Sequence, residues 1–219
     1  MIRTRLDISS YLVVGSENCS RPVEDVIAAA VDEGFTCVQI RSKISSAREM
    51  ISLLEKAAQK IFELGKSETV ALLVDDRLDV VLAARELGIK VDGVHVGQND
   101  IPAEVCRKFL GNDSIVGLSA SSAEEFSAAN VSIVDYFGVG PLHSTATKND
   151  AGSSLSFEKI SALAKVSPLP IVVGGGVKLE DIPKLKAAGV AGFFVVSAVT
   201  NAPDERLAAR ELVDAWKKI

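Results

Sequence analysis

The feature that most constrains the fold of this chain is a regular alternation of short apolar runs with longer amphipathic stretches. The alternation recurs about every 25 residues, the length of one strand with its helix. The runs are Tyr11–Val14, Cys37–Ile40, Val70–Val74, Gly93–Val96, Ile115–Leu118, Tyr136–Val139, Ile171–Val173 and Phe193–Val196. They are rich in β-branched residues and nearly all apolar, which is typical of parallel strands that are covered on both faces.

The stretches between the runs carry the start and stop signals of helices. Ser46 with Glu49, and Ser122 with Glu125, have the spacing of a capping box. Several helices are predicted to end at a glycine just before the next strand, namely at Gly34, Gly88 and Gly189. Eight βα units predict an α/β protein with a closed (β/α)8 TIM barrel, in one domain over residues 1–219. A doubly wound open sheet is the alternative.

Composition narrows the classes of partner. Hydrophobic residues make up 47% of the chain and aromatic residues only 5%, so we expect an aliphatic core. The net charge of −5 and the absence of a basic run argue against nucleic-acid binding. Three widely spaced cysteines, no leader-like N-terminus and no apolar run long enough to span a bilayer predict a cytoplasmic protein without a membrane partner. Assembly into a homo-oligomer is left open.

Polar side chains that core packing does not explain follow the second run. Because side chains two apart on a strand share a face, Gln39, Arg41 and Lys43 point together, and Ile40 and Ser42 point the other way. An amide and two cations at the mouth of a barrel suit a diphosphate. The competing interpretation is a solvated strand end with surface ion pairs.

Carboxylates follow the third and fourth runs. Asp75 and Asp76 end the third run, and Asp100 lies in the loop after the fourth. Consecutive barrel strands are neighbours, so Asp76 and Asp100 can approach each other, and their repulsion is relieved if a cation sits between them. Oxygen ligands of this kind suit Mg²⁺, which keeps waters and also binds substrate phosphate. The competing interpretation is that one aspartate only caps the following helix.

The later strand ends offer groups that bind anions. Residues 140–156 form the longest strand-to-helix loop and contain Thr145, Thr147 and Lys148. The seventh run is followed by residues 174–176, three glycines whose N–H groups can approach a phosphate closely. Ser119 is weak evidence alone, and His95 is expected to be a hydrogen-bonded interior residue.

Taken together, these motifs resemble the thiamine-phosphate synthase family. The resemblance runs from the second run to the eighth. Its segments are residues 38–43, 74–77, 93–100, 117–120, 135–141, 145–148, 174–176 and 196–197. Their order, at successive strand ends, makes the set specific. One departure is Asp75-Asp76, where the family commonly shows Asn-Asp.

The resemblance implies roles for these residues. It implies that the segment Gln39, Ile40, Arg41, Ser42 and Lys43 binds a pyrimidine diphosphate. Asp76 and Asp100 would ligate Mg²⁺, and Asp75, Ser119 and Lys148 would contact the pyrimidine. Thr145, Ala146 and Thr147 would hold a thiazole phosphate, together with Gly176, Val196 and Ser197. Arg41, Lys43, Lys148 and Ser119 would be the catalytic groups.

The implied reaction joins two small phosphorylated substrates. Diphosphate leaves the pyrimidine methylene with the help of Mg²⁺, and the thiazole nitrogen attacks the resulting cation, which requires no protein nucleophile. The alternatives are a thiazole tautomerase, a sugar-phosphate isomerase or epimerase, and a non-catalytic thiazole-phosphate-binding relative. The presence of Arg41 and Lys43 beside Asp76 and Asp100 favours the synthase.

Overall fold

The chain folds into a closed barrel of eight parallel strands, described for residues 6–144 and 154–218 by a computed structural model. The strands are β1 Ser10–Val14, β2 Cys37–Ile40, β3 Ala71–Asp75, β4 Gly93–Val96, β5 Ile115–Ser119, β6 Tyr136–Val139, β7 Ile171–Val173 and β8 Gly192–Val195. Each strand pairs with its neighbours in the chain, and β1 closes on β8 with Tyr11 opposite Phe194. The predicted (β/α)8 barrel is confirmed, and the open sheet is wrong.

Helices follow the strands and form the outer layer. They are α1 Val23–Asp32, α2 Ala47–Glu63, α3 Leu78–Glu86, α4 Ala103–Leu110, α5 Ala123–Ala128, α6 Phe157–Val166, α7 Ile182–Ala187, α8 Ser197–Thr200 and α9 Glu205–Lys217. Short 3₁₀ turns lie at Ser16–Asn18 and Leu179–Asp181. Within residues 6–144 and 154–218, no helix has both the length and the apolar character needed to cross a membrane.

The predicted helix signals differ in how fully they form. Ser46 and Glu49 make the complete capping box: the Ser46 hydroxyl accepts from Glu49 N, and the Glu49 carboxylate accepts from Ser46 N. Ser122 accepts from Glu125 N at 3.2 Å, but the Glu125 carboxylate accepts from Ser121 N instead of Ser122 N. The predicted terminal glycines Gly34, Gly88 and Gly189 all have positive φ, as left-handed caps require.

Strand alternation divides the core into two layers. Tyr11 and Val13 point into the barrel, whereas Leu12 and Val14 pack between the sheet and the helices. The inner layer also takes Cys37, Ala71, Leu73, Ile115, Tyr136 and Val172. One step of two residues beyond Cys37 and Leu73 brings the inward face to Gln39 and Asp75. The same alternation that fills the barrel therefore delivers polar side chains to its C-terminal mouth.

The N-terminal end of the barrel holds a buried arginine. The Arg107 guanidinium donates to Asp135 Oδ2 at 2.7 Å, and both side chains are 7% exposed. Its other N–H groups donate to backbone oxygens of Ile133, Gly111 and Ser114. The charge is thus matched by a carboxylate and four hydrogen bonds to the backbone, and the network ties α4 to the starts of β5 and β6.

Candidate active site

A cavity of about 560 Å³ opens at the C-terminal ends of the strands, within the size range of small-molecule sites. It is lined by most of the described residues that the sequence singled out: Gln39, Arg41, Lys43, Asp75, Asp76, Asp100, Ser119, Gly176, Val196 and Ser197. The predicted residues Thr145, Ala146, Thr147 and Lys148 lie outside the described residues. The predicted residues in this lining therefore come from six of the eight strand ends.

Two predicted binding residues do not face this cavity. Ile40 is fully buried in the layer between sheet and helices. Ser42 is 8% exposed, and its hydroxyl donates to Ser45 Oγ at 2.9 Å. The alternation that points Gln39 and Arg41 into the cavity turns these two side chains away from it. The side chains of Ile40 and Ser42 therefore do not line the cavity, unlike their neighbours Gln39 and Arg41.

Asp75 is the centre of the charged group over β2 and β3. Gln39 Nε2 donates to Asp75 Oδ1 at 2.8 Å, and Arg41 Nε lies 3.1 Å from Asp75 Oδ2. Lys43 Nζ lies 3.8 Å from the same Oδ2. Burial, reinforced by the neighbouring Asp76 charge, raises the pKa of Asp75 to about 7 although both cations oppose the shift. Asp75 is thus a carboxyl that can carry a proton near neutral pH.

Asp76 occupies a strained turn between β3 and α3. Its φ is +60°, in the left-handed region that few residues other than glycine enter, although Asp and Asn tolerate it. Its N–H donates to the His95 carbonyl oxygen at 2.8 Å, which fixes the turn against β4. The carboxylate hydrogen-bonds Lys43 Nζ and lies over the cavity. The strain is tolerated at the point where the carboxylate is aimed into the site.

Asp76 and Asp100 meet, as the sequence predicted. Burial raises the pKa of Asp76, but hydrogen bonds with Lys43 and then Asp100 outweigh it, so the pKa lies below its ordinary value. Burial, followed by the hydrogen bond to Asp76, raises the pKa of Asp100. The Asp100 carboxylate also accepts from Gly97 N at 2.9 Å. Two carboxyls that share a hydrogen bond form an anionic pair that a cation would stabilise.

The donor set of this pair fits Mg²⁺ better than a metal that needs a full protein cage. Within residues 6–144 and 154–218, no group of three or more His, Cys, Asp or Glu side chains is arranged to hold a metal ion. Mg²⁺ keeps several waters and is usually held by one or two carboxylates together with substrate phosphates. Asp76 and Asp100 are the residues of the described chain that could hold it in this way.

Glu17 supports the same region from the β1–α1 loop, and no sequence motif pointed to it. Its carboxylate accepts from Lys43 N at 2.8 Å. Next to it, Gly15 packs so closely that an added Cβ would lie 1.9 Å from the Arg41 carbonyl oxygen. Burial favours a higher pKa for Glu17. Hydrogen bonds to the Lys43 and Glu17 backbone and to Ser42 outweigh burial, so the pKa of Glu17 is lowered. An ionised Glu17 therefore holds the segment that carries Arg41 and Lys43.

The floor of the cavity leads into a chain of hydrogen-bonded side chains from four strands, β1, β4, β5 and β6. His95 Nε2 lies 3.0 Å from Ser119 Oγ, and His95 Nδ1 lies 3.0 Å from Tyr136 Oη. Behind it, Tyr11 Oη lies 2.9 Å from Tyr136 Oη. The expectation that His95 is a hydrogen-bonded interior residue is confirmed. Its partners come from distant parts of the chain, so sequence reasoning could not name them.

The opposite side of the mouth is built by the glycines after β7. Gly174 lies against the Phe194 ring, where an added Cβ would come within 2.2 Å of the ring carbons. Gly175 and Gly176 have φ of +83° and +73°, a conformation that glycine adopts at no steric cost. Val196 and Ser197 line the cavity next to this turn. All three glycines line the cavity as well.

Comparison with known proteins decides the family of this chain. A family model described as thiamine monophosphate synthase matches residues 10–199. The chain belongs to that family. The family confirms the resemblance read from the strand-end motifs.

Individual members of the thiamine monophosphate synthase family match over nearly the whole chain. Thiamine-phosphate synthase of Corynebacterium efficiens is 38% identical over 217 residues, 98% of each chain. The same enzyme of Ruminiclostridium cellulolyticum is 36% identical over 216 residues, again 98% of each. The solved thiamine phosphate pyrophosphorylase of Pyrococcus furiosus superposes with a TM-score of 0.84 at 28% identity and covers 98% of each chain. The chain is accordingly a transferase of the thiamine-phosphate synthase type.

Proposed function

We propose that this protein couples 4-amino-2-methyl-5-(diphosphooxymethyl)pyrimidine with thiazole phosphate, with or without the thiazole carboxylate, to give thiamine phosphate and diphosphate. Carbon dioxide is released as well when the thiazole carries the carboxylate. The observation that carries the proposal is that one cavity has two chemically different sides, each suited to an anion. Cations and paired carboxylates lie over β2 to β4, and a glycine turn lies after β7. A site for one phosphorylated molecule would need only one of these sides.

In this proposal, Arg41 and Lys43 bind the diphosphate and neutralise the charge that develops as it leaves. Both line the cavity, and Arg41 is 14% exposed, so its charge acts in a partly water-excluded site. Asp75 holds the Arg41 guanidinium and Glu17 holds the Lys43 backbone, which lowers the reorganisation needed during the reaction. Loss of one such charge raises the barrier by about 2–4 kcal/mol in comparable sites.

Asp76 and Asp100 are proposed to hold Mg²⁺. When bound, Mg²⁺ would neutralise the diphosphate and stabilise it as a leaving group. Lys43, which hydrogen-bonds Asp76, then adds a second positive charge on the same side of the cavity. The support for this proposal is the hydrogen bond between the Asp76 and Asp100 carboxyls. A bound cation would take the place of that hydrogen bond.

Gln39, Asp75 and Ser119 are proposed to orient the pyrimidine. A carboxyl with a pKa of about 7 can exchange a proton with an aminopyrimidine near neutral pH, so Asp75 can serve where the family commonly has Asn. The carbocation left after diphosphate departure is stabilised by the electron-rich ring and needs no covalent partner. This agrees with the described cavity lining, which includes no cysteine and whose histidine, His95, is hydrogen-bonded on both ring nitrogens.

The second side of the cavity is proposed to bind the thiazole phosphate. Backbone N–H groups near Gly176, Val196 and Ser197 are within reach of an anion that enters the cavity. Thr145, Ala146, Thr147 and Lys148 are kept in this proposal on the family resemblance. With both substrates in place, the thiazole nitrogen faces the pyrimidine methylene, and positioning supplies much of the rate.

The test is turnover with purified protein, both substrates and Mg²⁺. We expect thiamine phosphate and diphosphate to form in equal amounts, and neither product when one substrate is omitted. Isomerised thiazole phosphate without coupling would support the tautomerase instead. Binding without any product, where the Corynebacterium efficiens relative is active, would support a non-catalytic protein and reject the proposal.

A further inference from the structure

The His95 side chain belongs to a second group of polar side chains, separate from the cations and carboxylates over β2 to β4. It lies on β4, and its ring nitrogens contact Ser119 of β5 and Tyr136 of β6, each at 3.0 Å. The His95 and Tyr136 rings also lie next to each other in a tilted arrangement, with centroids 5.5 Å apart and an interplanar angle of 33°. These contacts fix the position of the imidazole within the barrel.

The sequence makes room for this arrangement on both sides. An added Cβ at Gly117 would lie 2.3 Å from Tyr136 Cζ and 2.5 Å from His95 Nδ1. An added Cβ at Gly138 would lie 2.8 Å from His95 Cε1. Two strands thus carry glycine where a side chain would displace His95 or Tyr136. The space is used for a polar contact in a layer that is otherwise largely apolar.

The direction of the hydrogen bonds follows from the basicity of the groups. Burial raises the pKa of Tyr136 well above its ordinary value, so its hydroxyl keeps its proton. That proton can go to Tyr11 Oη or to His95 Nδ1, and a neutral imidazole nitrogen is a stronger acceptor than a phenol oxygen. With Nδ1 as the acceptor, a neutral imidazole carries its proton on Nε2, and Nε2–H then donates to Ser119 Oγ.

This direction determines what Ser119 offers to the cavity. A hydroxyl has one proton and two lone pairs. If Ser119 Oγ accepts from His95, its own proton remains available for an acceptor on a bound molecule. If the direction were reversed, Ser119 would donate inward and could present only an acceptor. Ser119 lines the cavity together with His95.

We propose that His95, with its tautomer set by Tyr136, is a positioning residue that makes the Ser119 hydroxyl a hydrogen-bond donor to the pyrimidine substrate. The inference rests on the proposed function, because it assigns Ser119 to the pyrimidine. His95 acts through Ser119 and does not itself touch the reacting atoms. The acceptor it selects is a ring nitrogen or a substrate oxygen, not an N–H group.

The first arm of the test reads the tautomer directly and needs no turnover. The chain has 2 histidines, so ¹⁵N NMR of histidine-labelled protein gives few signals, and His143→Gln assigns them. We expect the Nε2–H tautomer for His95 in the wild type and a mixture in Tyr136→Phe. Tyr11→Phe is the matched control, because it removes a neighbouring buried hydroxyl and leaves the Tyr136 donor in place. A mixture of tautomers in the wild type would overturn the inference.

The second arm is a double-mutant cycle with Ser119→Ala. We expect Tyr136→Phe to lower kcat/KM for the pyrimidine diphosphate by about threefold to tenfold, the worth of one hydrogen bond. In the Ser119→Ala background the same change should have less than about a twofold effect, since the group it acts through is gone. KM for the thiazole phosphate should not move.

A merely structural role gives a different result. Tyr11→Phe would then reduce kcat/KM as much as Tyr136→Phe, or the effect of Tyr136→Phe would persist in the Ser119→Ala background, and either result overturns the inference. A wild-type protein without turnover rejects the proposed function, whereas a wild-type tautomer mixture rejects only the role of His95. The two failures are therefore distinguishable.

Discussion

The two ends of the barrel each bury an arginine beside an aspartate, but they treat the charge differently. At the N-terminal end, Arg107 and Asp135 are 7% exposed, and the arginine also donates to backbone oxygens of Gly111, Ser114 and Ile133. At the C-terminal mouth, Arg41 and Asp75 are 14% and 12% exposed and face a cavity. The first pair is enclosed by backbone, and the second is open to a ligand.

This difference separates charges that stabilise the fold from charges that are exposed to a ligand in the cavity. A buried charge that loses its partner is strongly destabilising, so the Arg107 network behaves as part of the fold. Around Asp75, burial and the nearby Asp76 charge raise the carboxyl pKa to about 7. This group can take up a proton if a cation is lost, so the open pair is less important for folding. The raised pKa of Asp75 therefore occurs at a position that faces the cavity, where a substrate can contact the carboxyl.

Arg107→Met should give the largest effect on stability. It keeps a side chain of similar length but removes the guanidinium from the buried Asp135 carboxylate, so we expect a loss of about 3–5 kcal/mol in the free energy of unfolding. Urea denaturation measures it. Arg85→Met is the control, because Arg85 donates to oxygens of Val91, Leu110 and Ser114 at the same end, and it should cost about 1–3 kcal/mol. Equal losses of unfolding free energy in the two variants would show that the Arg107–Asp135 ion pair contributes no more to stability than the hydrogen bonds of Arg85 do.

Arg41→Met makes the same change at the other end and should act on turnover. We expect kcat to fall by about 30-fold to 1000-fold, equivalent to 2–4 kcal/mol in the barrier. The free energy of unfolding should change by less than about 1 kcal/mol, because Asp75 can be protonated instead. Thiazole-phosphate affinity serves as a control for the intact cavity. A variant that loses more stability than turnover would contradict the division between the two ends.

Glu33 should give the smallest effect and belongs to the fold-stabilising end, at the junction between α1 and β2. Arg210 donates to it at 2.7 and 2.8 Å. The hydrogen bonds from Arg210 are the largest cause of a lowered pKa at Glu33. Burial opposes them and Arg206 adds to them, and the pKa falls from 4.5 to about 2. A lowered pKa stabilises the fold above pH 4.5, and this contribution is lost as the pH falls towards 2.

The comparison that isolates this contribution is wild type against Glu33→Gln. We expect the wild type to be more stable at pH 6 by less than about 1 kcal/mol, since the ion pair lies at the surface. The difference should shrink between pH 4.5 and pH 2, the range between the two pKa values. Thermal unfolding at several pH values measures it. A difference that grows in acid would have the wrong sign for this explanation.

The sequence predicted the parts of the molecule that depend on periodicity. All eight apolar runs match strands to within one residue at each end, because alternation and β-branching are local properties. The same alternation predicted that Gln39, Arg41 and Lys43 share one face, and all three line the cavity. The order of strands in the closed barrel then brought Asp76 to Asp100, since β3 and β4 are neighbours.

What the sequence did not show depends on contacts between distant residues. Tyr136 is 41 residues from His95, and no local pattern pairs them. The hydrogen bond from Lys43 N to Glu17 joins two loops 26 residues apart. The positive φ of Asp76 is likewise set by the turn between β3 and α3 and by the His95 carbonyl. Such features arise from packing in three dimensions, for which a single sequence carries no periodic signal.

The central claim is that the charges over β2 to β4 bind a diphosphate together with Mg²⁺. Isothermal titration with inorganic diphosphate, the released product, tests it most directly. We expect binding in the presence of Mg²⁺, and at least about tenfold weaker binding without the metal or in Asp76→Asn. Asn tolerates the left-handed φ of residue 76, so the variant should stay folded. Equal affinity for the wild type with Mg²⁺, the wild type without Mg²⁺ and Asp76→Asn would contradict a metal site at Asp76. It would also contradict the claim that the charges over β2 to β4 bind diphosphate together with Mg²⁺.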